Sequence, residues 1–133
     1  MIIGNRPNYL QEAEWITTEN GNRTLCFYSL GNFVSTQDTG AEMLSGIAKV
    51  GIKVENGLTV IDESNTGLIP VITQYTSGEG GKIQVQGSVP FSQYTDEMAA
   101  THGVVTKYGA TFNRDLIQKT LNERVPEELI YKE

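Results

Sequence analysis

Cysteine and histidine are almost missing from this chain of 133 residues. It contains one cysteine, Cys26, and one histidine, His102. A single cysteine cannot form an intrachain disulfide or build a cysteine-rich zinc site. Any Ser/His or Cys/His pair would have to use His102, and no Gly-x-Ser-x-Gly segment supplies a nucleophile elbow. The chain taken alone is therefore predicted to lack metal-dependent and nucleophilic catalysis, and no catalytic residue is assigned.

Basic residues are also few, and they are scattered along the sequence. Ten Lys and Arg residues stand against sixteen Asp and Glu residues, which gives a formal net charge of −6. Without a basic patch, a nucleic-acid partner is not expected. No apolar run approaches the ~20 residues of a membrane span, and the N-terminus lacks the pattern of a signal peptide. We expect no nucleic-acid partner and no membrane span, and the localisation is left open.

Alternating apolar residues predict that the first two thirds of the chain are rich in β-strands. Asn-Gly pairs between two such runs are typical of hairpin turns. The Asn56-Gly57 pair predicts a hairpin with one buried face, and Pro70 favours either an edge position for its strand or a place at the start of the strand. The predicted strands are residues 1–4, 14–18, 23–29, 50–54, 58–60, 68–75 and 83–86.

Two helices are predicted to close the chain. Thr95 is a suitable N-cap for a helix over 96–102, with Gly103 as its C-terminal stop. His102 in the last turn is interpreted as a polar group that favours the helix dipole, rather than as a catalytic base. Asn113 is a suitable N-cap for a helix over 114–124, whose apolar stripe is Ile117, Leu121 and Val125. The predicted fold class is α+β, with antiparallel hairpins followed by two C-terminal helices in a single domain, residues 1–133.

Two segments carry a more specific pattern. The first is Ile2-Ile3-Gly4-Asn5-Arg6-Pro7-Asn8-Tyr9-Leu10-Gln11, continued by Glu14-Trp15-Ile16, and the second is Phe27-Tyr28-Ser29-Leu30-Gly31-Asn32-Phe33-Val34. Their order and spacing resemble the C-terminal part of the bacterial capsule-synthesis, poly-gamma-glutamate biosynthesis (CapA-type) family, a branch of the calcineurin-like metallophosphoesterases. The stretch 94–104 is similar to tails in that family. The resemblance implies the β-rich C-terminal part of a metallophosphoesterase-like α/β sandwich, and so a portion of a larger domain.

The chain departs from that family where the family binds its divalent metal ions. Arg6 and Asn8 stand at the two positions where the resemblance implies metal-binding histidines. A guanidinium carries a fixed positive charge and has no lone pair to offer, and an amide is a weak ligand. The family's other ligands have no counterpart in these 133 residues. We therefore expect no metal and no other cofactor, and the residues at family motif positions are Asn5, Arg6, Asn8, Gln11, Ser29 and Asn32.

Three functions are compatible with these patterns. The first is a CapA-like domain without catalytic activity by itself, which binds a partner. The second is one half of a split enzyme, with Asn5, Ser29 and Asn32 lining a site that another chain completes. The third is a small sugar- or polymer-binding module that stacks its ligand on Trp15, Tyr28 and Tyr75. The expected partner is accordingly a second copy of the chain or a complementing N-terminal half, since half a sandwich exposes an apolar sheet face.

Overall fold

Two three-stranded sheets are followed by helices, as the α+β prediction requires. The computed structural model describes residues 1–132. The first sheet has the order β1-β3-β2 and the second the order β4-β5-β6. Three α-helices follow, of which the short α2 continues directly from α1. The elements are β1 (Ile2–Ile3), β2 (Ala13–Thr17), β3 (Arg23–Phe27), β4 (Leu44–Glu55), β5 (Leu58–Ser77), β6 (Ile83–Pro90), α1 (Asp96–Thr101), α2 (Gly103–Thr106) and α3 (Arg114–Arg124).

The first sheet combines a hairpin with one parallel strand. Strands β2 and β3 form the predicted antiparallel hairpin, and β1 pairs with β3 in parallel, with Ile3 beside Phe27. The hairpin turn uses Gly21 at φ 78°, a conformation that glycine adopts without steric cost. Because β1 and β3 run in the same direction, their carboxyl ends lie at the same edge of the sheet.

The hairpin between β4 and β5 forms as predicted, but the expectation of one buried face is wrong. Asn56 and Gly57 both have positive φ, as a two-residue type I′ turn requires. This turn pairs Glu55 with Leu58 and Val54 with Thr59. Leu58 therefore lies on the opposite face from Val54. Both side chains are about 70% exposed, because this end of the hairpin projects beyond the core.

Strand β5 is the central strand of the second sheet and Pro70 lies within it, so both positions expected from Pro70, an edge strand or a strand start, are wrong. Its later part pairs with β4 on one side and with β6 on the other. The β6 ladder begins only at Val71, so Pro70 occupies the last position before that side of β5 is covered. A proline is tolerated there because no β6 residue needs its missing N–H.

Both predicted N-caps are confirmed, whereas the expected stop of the first helix is wrong. The side chain of Thr95 accepts a hydrogen bond from Met98 N, and that of Asn113 accepts one from Leu116 N. Gly103 does not end α1 but begins α2. A Cβ at Gly103 would lie 2.0 Å from a ring carbon of Tyr75, so close packing rather than a left-handed turn requires glycine there.

One core joins the two sheets to the helices. It includes the apolar stripe of α3 that the sequence predicted, together with buried residues of β2, β3, β4 and β5, and the partly buried Ile83 and Val89 of β6 pack against it. Cys26 is also buried, as expected for a structural cysteine. The largest fully buried side chains of the core are Tyr75, Tyr94, Phe27, Leu10, Leu25, Met43, Leu44, Leu68 and Ile72.

Candidate functional site

The two motif segments meet at the carboxyl ends of the parallel strands β1 and β3. We call the surface formed by residues 4–12 and 28–32 the motif edge. Backbone hydrogen bonds join its two segments, from Gln11 N to Ser29 O at 3.0 Å and from Tyr28 N to Glu12 O at 3.1 Å. The sequence alone could not show this contact, because fifteen residues, 13–27, and a complete hairpin separate the two segments.

Ser29 is buried at the centre of the motif edge. Its hydroxyl donates a hydrogen bond to Pro7 O at 2.7 Å and accepts one from Gly31 N at 3.1 Å. The backbones of Asn5 and Ser29 also form an isolated antiparallel bridge. With both of these partners on the backbone, the hydroxyl holds the two segments together. Within residues 1–132, no histidine or carboxylate bonds to it as a general base would.

Gly4 allows the two segments to approach closely. A Cβ built on Gly4 would lie 2.0 Å from Tyr28 O, and Gly4 N donates a hydrogen bond to Phe27 O at 2.8 Å. Gly31 has φ 72°, and a Cβ there would lie 2.9 Å from Leu10 N. Gly4 and Gly31 are thus both required for steric reasons, because a Cβ at either position would collide with the backbone. This requirement does not depend on any catalytic role.

The remaining motif residues lie at the surface. Asn5, Arg6 and Asn8 are exposed, whereas Gln11 and Asn32 are half-buried. The Arg6-Pro7 peptide bond is cis. Within residues 1–132, no hydrogen bond or salt bridge is formed by the Arg6 or Asn8 side chain. The motif edge therefore presents a cation and amides to solvent rather than a converging set of metal ligands.

Metal-binding groups do not cluster in the part of the chain that is described. Residues 1–132 contain no group of three or more His, Cys, Asp or Glu side chains that could hold a metal ion. Arg6 would repel a divalent cation, and Asn8 could offer only an amide oxygen. The residues of the motif edge thus do not fit a dinuclear metal centre by themselves.

A cavity of about 390 Å³ opens beside the motif edge. Arg124, from the last turn of α3, donates a hydrogen bond to Leu10 O at 2.8 Å and lies 5.0 Å from the centre of the Tyr9 ring. The hydroxyl of Tyr28 donates to Glu14 at 2.6 Å, and this carboxylate raises the pKa of the phenol. The lining residues are Tyr9, Leu10, Gln11, Glu12, Tyr28 and Arg124.

Sequence reasoning missed Arg124 as a neighbour of the motif. Arg124 stands 114 residues from Leu10, at the end of a helix whose local pattern indicates only a basic residue near the C-terminus. A cation in the last turn of a helix is favoured by the helix dipole, and this local role gave no reason to place Arg124 beside the motif. Only the packing of α3 against the loop after β1 brings the two together.

His102 lies in the core and not at the motif edge. Its Nε2 is 2.8 Å from Thr73 O, and its Nδ1 accepts a hydrogen bond from Val104 N at 3.0 Å. Burial lowers its pKa, although the hydrogen bond to Thr73 opposes this effect. A structural role was expected, but its nature differs: His102 stands at the C-cap of α1 as predicted, yet its side chain caps the N-terminus of α2 instead of acting on the dipole of α1.

The three aromatic residues considered for stacking a sugar do not form one surface. Tyr75 is fully buried, and its hydroxyl donates to Gln37 O at 2.7 Å. The guanidinium of Arg23 lies 4.5 Å from the centre of the Trp15 ring. Tyr28 is exposed and lines the 390 Å³ cavity. Tyr75 therefore cannot belong to a stacking surface together with Trp15 and Tyr28, and the prediction is wrong for this residue.

A larger cavity of about 830 Å³ lies between α3 and the strand β5, away from the motif edge. Ile69, Phe91 and Leu121 contribute apolar walls, and Gln118 and Asn122 contribute amides. These two amides bond to each other at 2.8 Å, from Gln118 Nε2 to Asn122 Oδ1. None of the six motif positions lines this cavity.

Comparison with known proteins identifies no relative. No family model, no curated protein and no solved structure matches this chain. Within residues 1–132, no helix combines the length and apolarity needed to cross a membrane.

Proposed function

We propose that this chain is a CapA-like domain of capsule or poly-gamma-glutamate biosynthesis that binds a partner and has no catalytic activity by itself. The supporting observation is the meeting of the two motif segments at the carboxyl ends of β1 and β3. Ligands commonly bind outside the carboxyl ends of parallel strands, so this edge is the natural place for a site. The same arrangement supports the finer fold proposal, a metallophosphoesterase-like sandwich.

The residues at this edge favour binding over metal-dependent hydrolysis. Two-metal phosphoester chemistry needs several anionic or imidazole ligands held close together. Arg6 supplies a positive charge where such a ligand would stand, and Ser29 is occupied by two backbone groups. Arg6 is exposed, and Arg124 lines the cavity beside the motif edge. The two guanidinium groups would therefore attract an anionic group of a partner to this edge.

Metal analysis combined with a phosphoesterase assay tests the proposal. We expect the purified protein to bind no stoichiometric manganese, iron or zinc and to hydrolyse no phosphoester. Stoichiometric metal with turnover would contradict it. An Arg6→His/Asn8→His double variant is expected to gain measurable zinc binding, because two neutral imidazoles would then be exposed at one edge. An Arg6→Lys/Asn8→Gln variant is the matched control and should gain none.

A second candidate function is one half of a split enzyme that another chain completes. The observation in its favour is β1, whose outer edge has no strand partner within residues 1–132. Its residues Ile2 and Ile3, and Met1 before them, are about half exposed although they are apolar. An unpaired strand edge with apolar side chains is a template for another strand.

Co-expression with a separate chain that carries Asp and His ligands tests this candidate. A neighbouring gene that encodes such an N-terminal half would supply the partner. We expect the complex to bind metal and an Ile2→Lys/Ile3→Lys variant to lose the partner. Failure of the two chains to co-purify, or the lack of any such gene, would remove the support for the split enzyme.

A further inference from the structure

Strand β4 is an edge strand whose outer side is open near the hairpin turn. Closer to its start the strand is covered, because Leu10 N donates to Leu44 O at 3.4 Å and Gly46 N donates to Leu30 O at 2.8 Å. From residue 47 to residue 55, no backbone group in the described part of the chain bonds to this outer side. An open edge of this length is a template for another strand.

The hairpin turn determines which backbone groups face outward along this edge. A two-residue turn makes Glu55 and Leu58 a hydrogen-bonded pair, and the pattern alternates along an antiparallel ladder. The N–H and C=O groups of Val54 and Ile52 therefore point away from β5. The side chains of the same two residues are 72% and 70% exposed, which is unusual for large apolar groups.

We propose that this edge pairs with the same edge of a second copy of the chain, in antiparallel orientation about a two-fold axis. The pairing is centred on Ile52, so that each Ile52 stands opposite its counterpart. Val54 then lies opposite Val50 of the second copy, and Glu55 lies opposite Lys49. Apolar side chains meet on one face of the joined sheet, and opposite charges meet on the other face. The result is a continuous six-stranded sheet.

Charge selects this register over its neighbours. Centring the pairing on Lys53 would place two ammonium groups opposite each other, and centring it on Gly51 would place Lys53 opposite Lys49. Like charges directly opposite each other destabilise a strand pair. Centring it on Val54 would leave only residues 53–55 paired, because the turn begins at Asn56.

Lysines on an edge strand often protect it against pairing, but here Lys53 is neutralised within its own strand. Its ammonium group lies 2.7 Å from the Glu55 carboxylate. The other open edge of the hairpin, along β5, carries only the acidic residues Asp62 and Glu63 between residues 58 and 66. Glu63 already pairs with Arg23 of β3 at 2.6 Å, and self-pairing along β5 would bring together two copies of Asp62 with no basic residue on that edge to oppose them. The balance of charges thus favours β4 and a second copy of this chain.

Sedimentation equilibrium and amide hydrogen exchange test the proposal on the full chain. A strand pair of this length buries less than the ~800 Å² per partner of a standard interface, so we expect a dissociation constant of roughly 10⁻⁵ to 10⁻⁴ M. The average mass should rise from 14.6 kDa towards twice that value as the concentration is raised. The outward amides of Ile52 and Val54 should become protected over the same range of concentration.

A matched pair of variants locates the interface. Ile52→Lys should weaken the dimer by roughly tenfold or more, because it places two ammonium groups opposite each other. Leu58→Lys introduces the same charge at an equally exposed position on β5 and should leave the dimer unchanged. Both side chains project into solvent, so neither variant should affect folding, and circular dichroism checks this.

A charge exchange tests the register. Glu55→Lys alone and Lys49→Glu alone should each weaken the dimer, whereas a mixture of the two variants should restore it, because every opposed pair then has opposite signs. A monomer at about 1 mM, or a dimer whose protected amides lie elsewhere, would overturn the proposal. Equal effects of Ile52→Lys and Leu58→Lys would also overturn it. None of these residues belongs to the motif edge, so the result is independent of the proposed function.

Discussion

Replacement of His102 probes the junction between α1 and α2. The ring has no exposed surface and lies between Tyr75 and Phe112, with ring centroids 4.6 and 4.8 Å away. It makes two separable hydrogen bonds: Nδ1 accepts from Val104 N, and Nε2 lies 2.8 Å from Thr73 O. Since Val104 donates to Nδ1, the proton of the neutral ring is on Nε2. Substitutions can therefore remove one bond at a time.

The expected loss of stability follows from these contacts. Loss of an N-cap costs about 1 kcal/mol, and a buried carbonyl left without its donor costs about 1–3 kcal/mol. With the lost ring packing, His102→Ala should reduce the free energy of unfolding by roughly 3–5 kcal/mol. His102→Asn should cost less, because its Oδ1 can replace Nδ1 as the cap. His102→Gln should also cost less, since its amide N–H can reach the Thr73 carbonyl.

The same ring predicts a dependence of stability on pH. Burial lowers the pKa of His102 in the folded protein, whereas an unfolded histidine titrates near its usual value of about 6.5. Below that pH the unfolded chain binds more protons than the folded chain, so protonation favours unfolding. The contribution of the neutral ring is thus complete above pH about 6.5 and is lost as the pH falls towards the lowered pKa.

Urea denaturation followed by circular dichroism measures both effects. The free energy of unfolding of the wild type should decrease between pH 7.5 and 5.5, a window chosen as roughly bracketing the histidine pKa. The His102→Asn variant lacks the imidazole and should show a flatter profile. The reasoning is refuted if His102→Ala costs less than about 1 kcal/mol, or if the wild type and the Asn variant have the same pH dependence.

Two further substitutions test other buried hydroxyl groups. Ser29→Ala removes a donor to Pro7 O and an acceptor for Gly31 N, and should reduce the free energy of unfolding by about 1–3 kcal/mol without affecting any catalysis. Tyr94→Phe removes the donor to Gln74 Oε1 at 2.7 Å and should cost about 1–2 kcal/mol. Thermal denaturation checks both, and an unchanged melting temperature in either variant would show that its hydroxyl contributes nothing.

Local patterns predicted the elements of this fold well. The N-caps Thr95 and Asn113 and the turn at Asn56-Gly57 were all correctly placed, because each is determined by residues within a few positions. Gly103 was misplaced, since its requirement comes from the ring of Tyr75, 28 residues earlier in the chain. The buried face expected for the β4–β5 hairpin failed for a related reason: periodicity shows alternation, but only packing shows which part of a strand reaches the core.

The candidate site was predicted in part. The sequence marked the segments of the motif edge and the departure at Arg6 and Asn8, since both are matters of residue identity. It could not show that the buried Ser29 hydroxyl bonds to Pro7 O or that Arg124 bonds to Leu10 O, because these partners are 22 and 114 residues apart in the chain.

The scarcity of histidine and cysteine was decided by the sequence alone, and so were the α+β class, the turns and the caps. Short-range chemistry determines all of these, because backbone preferences and hydrogen bonds within one turn do not depend on distant residues. The tertiary structure alone decided that His102 is a core residue, that Arg124 reaches the motif edge, and that Ile52 and Val54 are exposed at an open strand edge. These features arise from the packing of elements far apart in the chain, and periodicity carries no information about that packing.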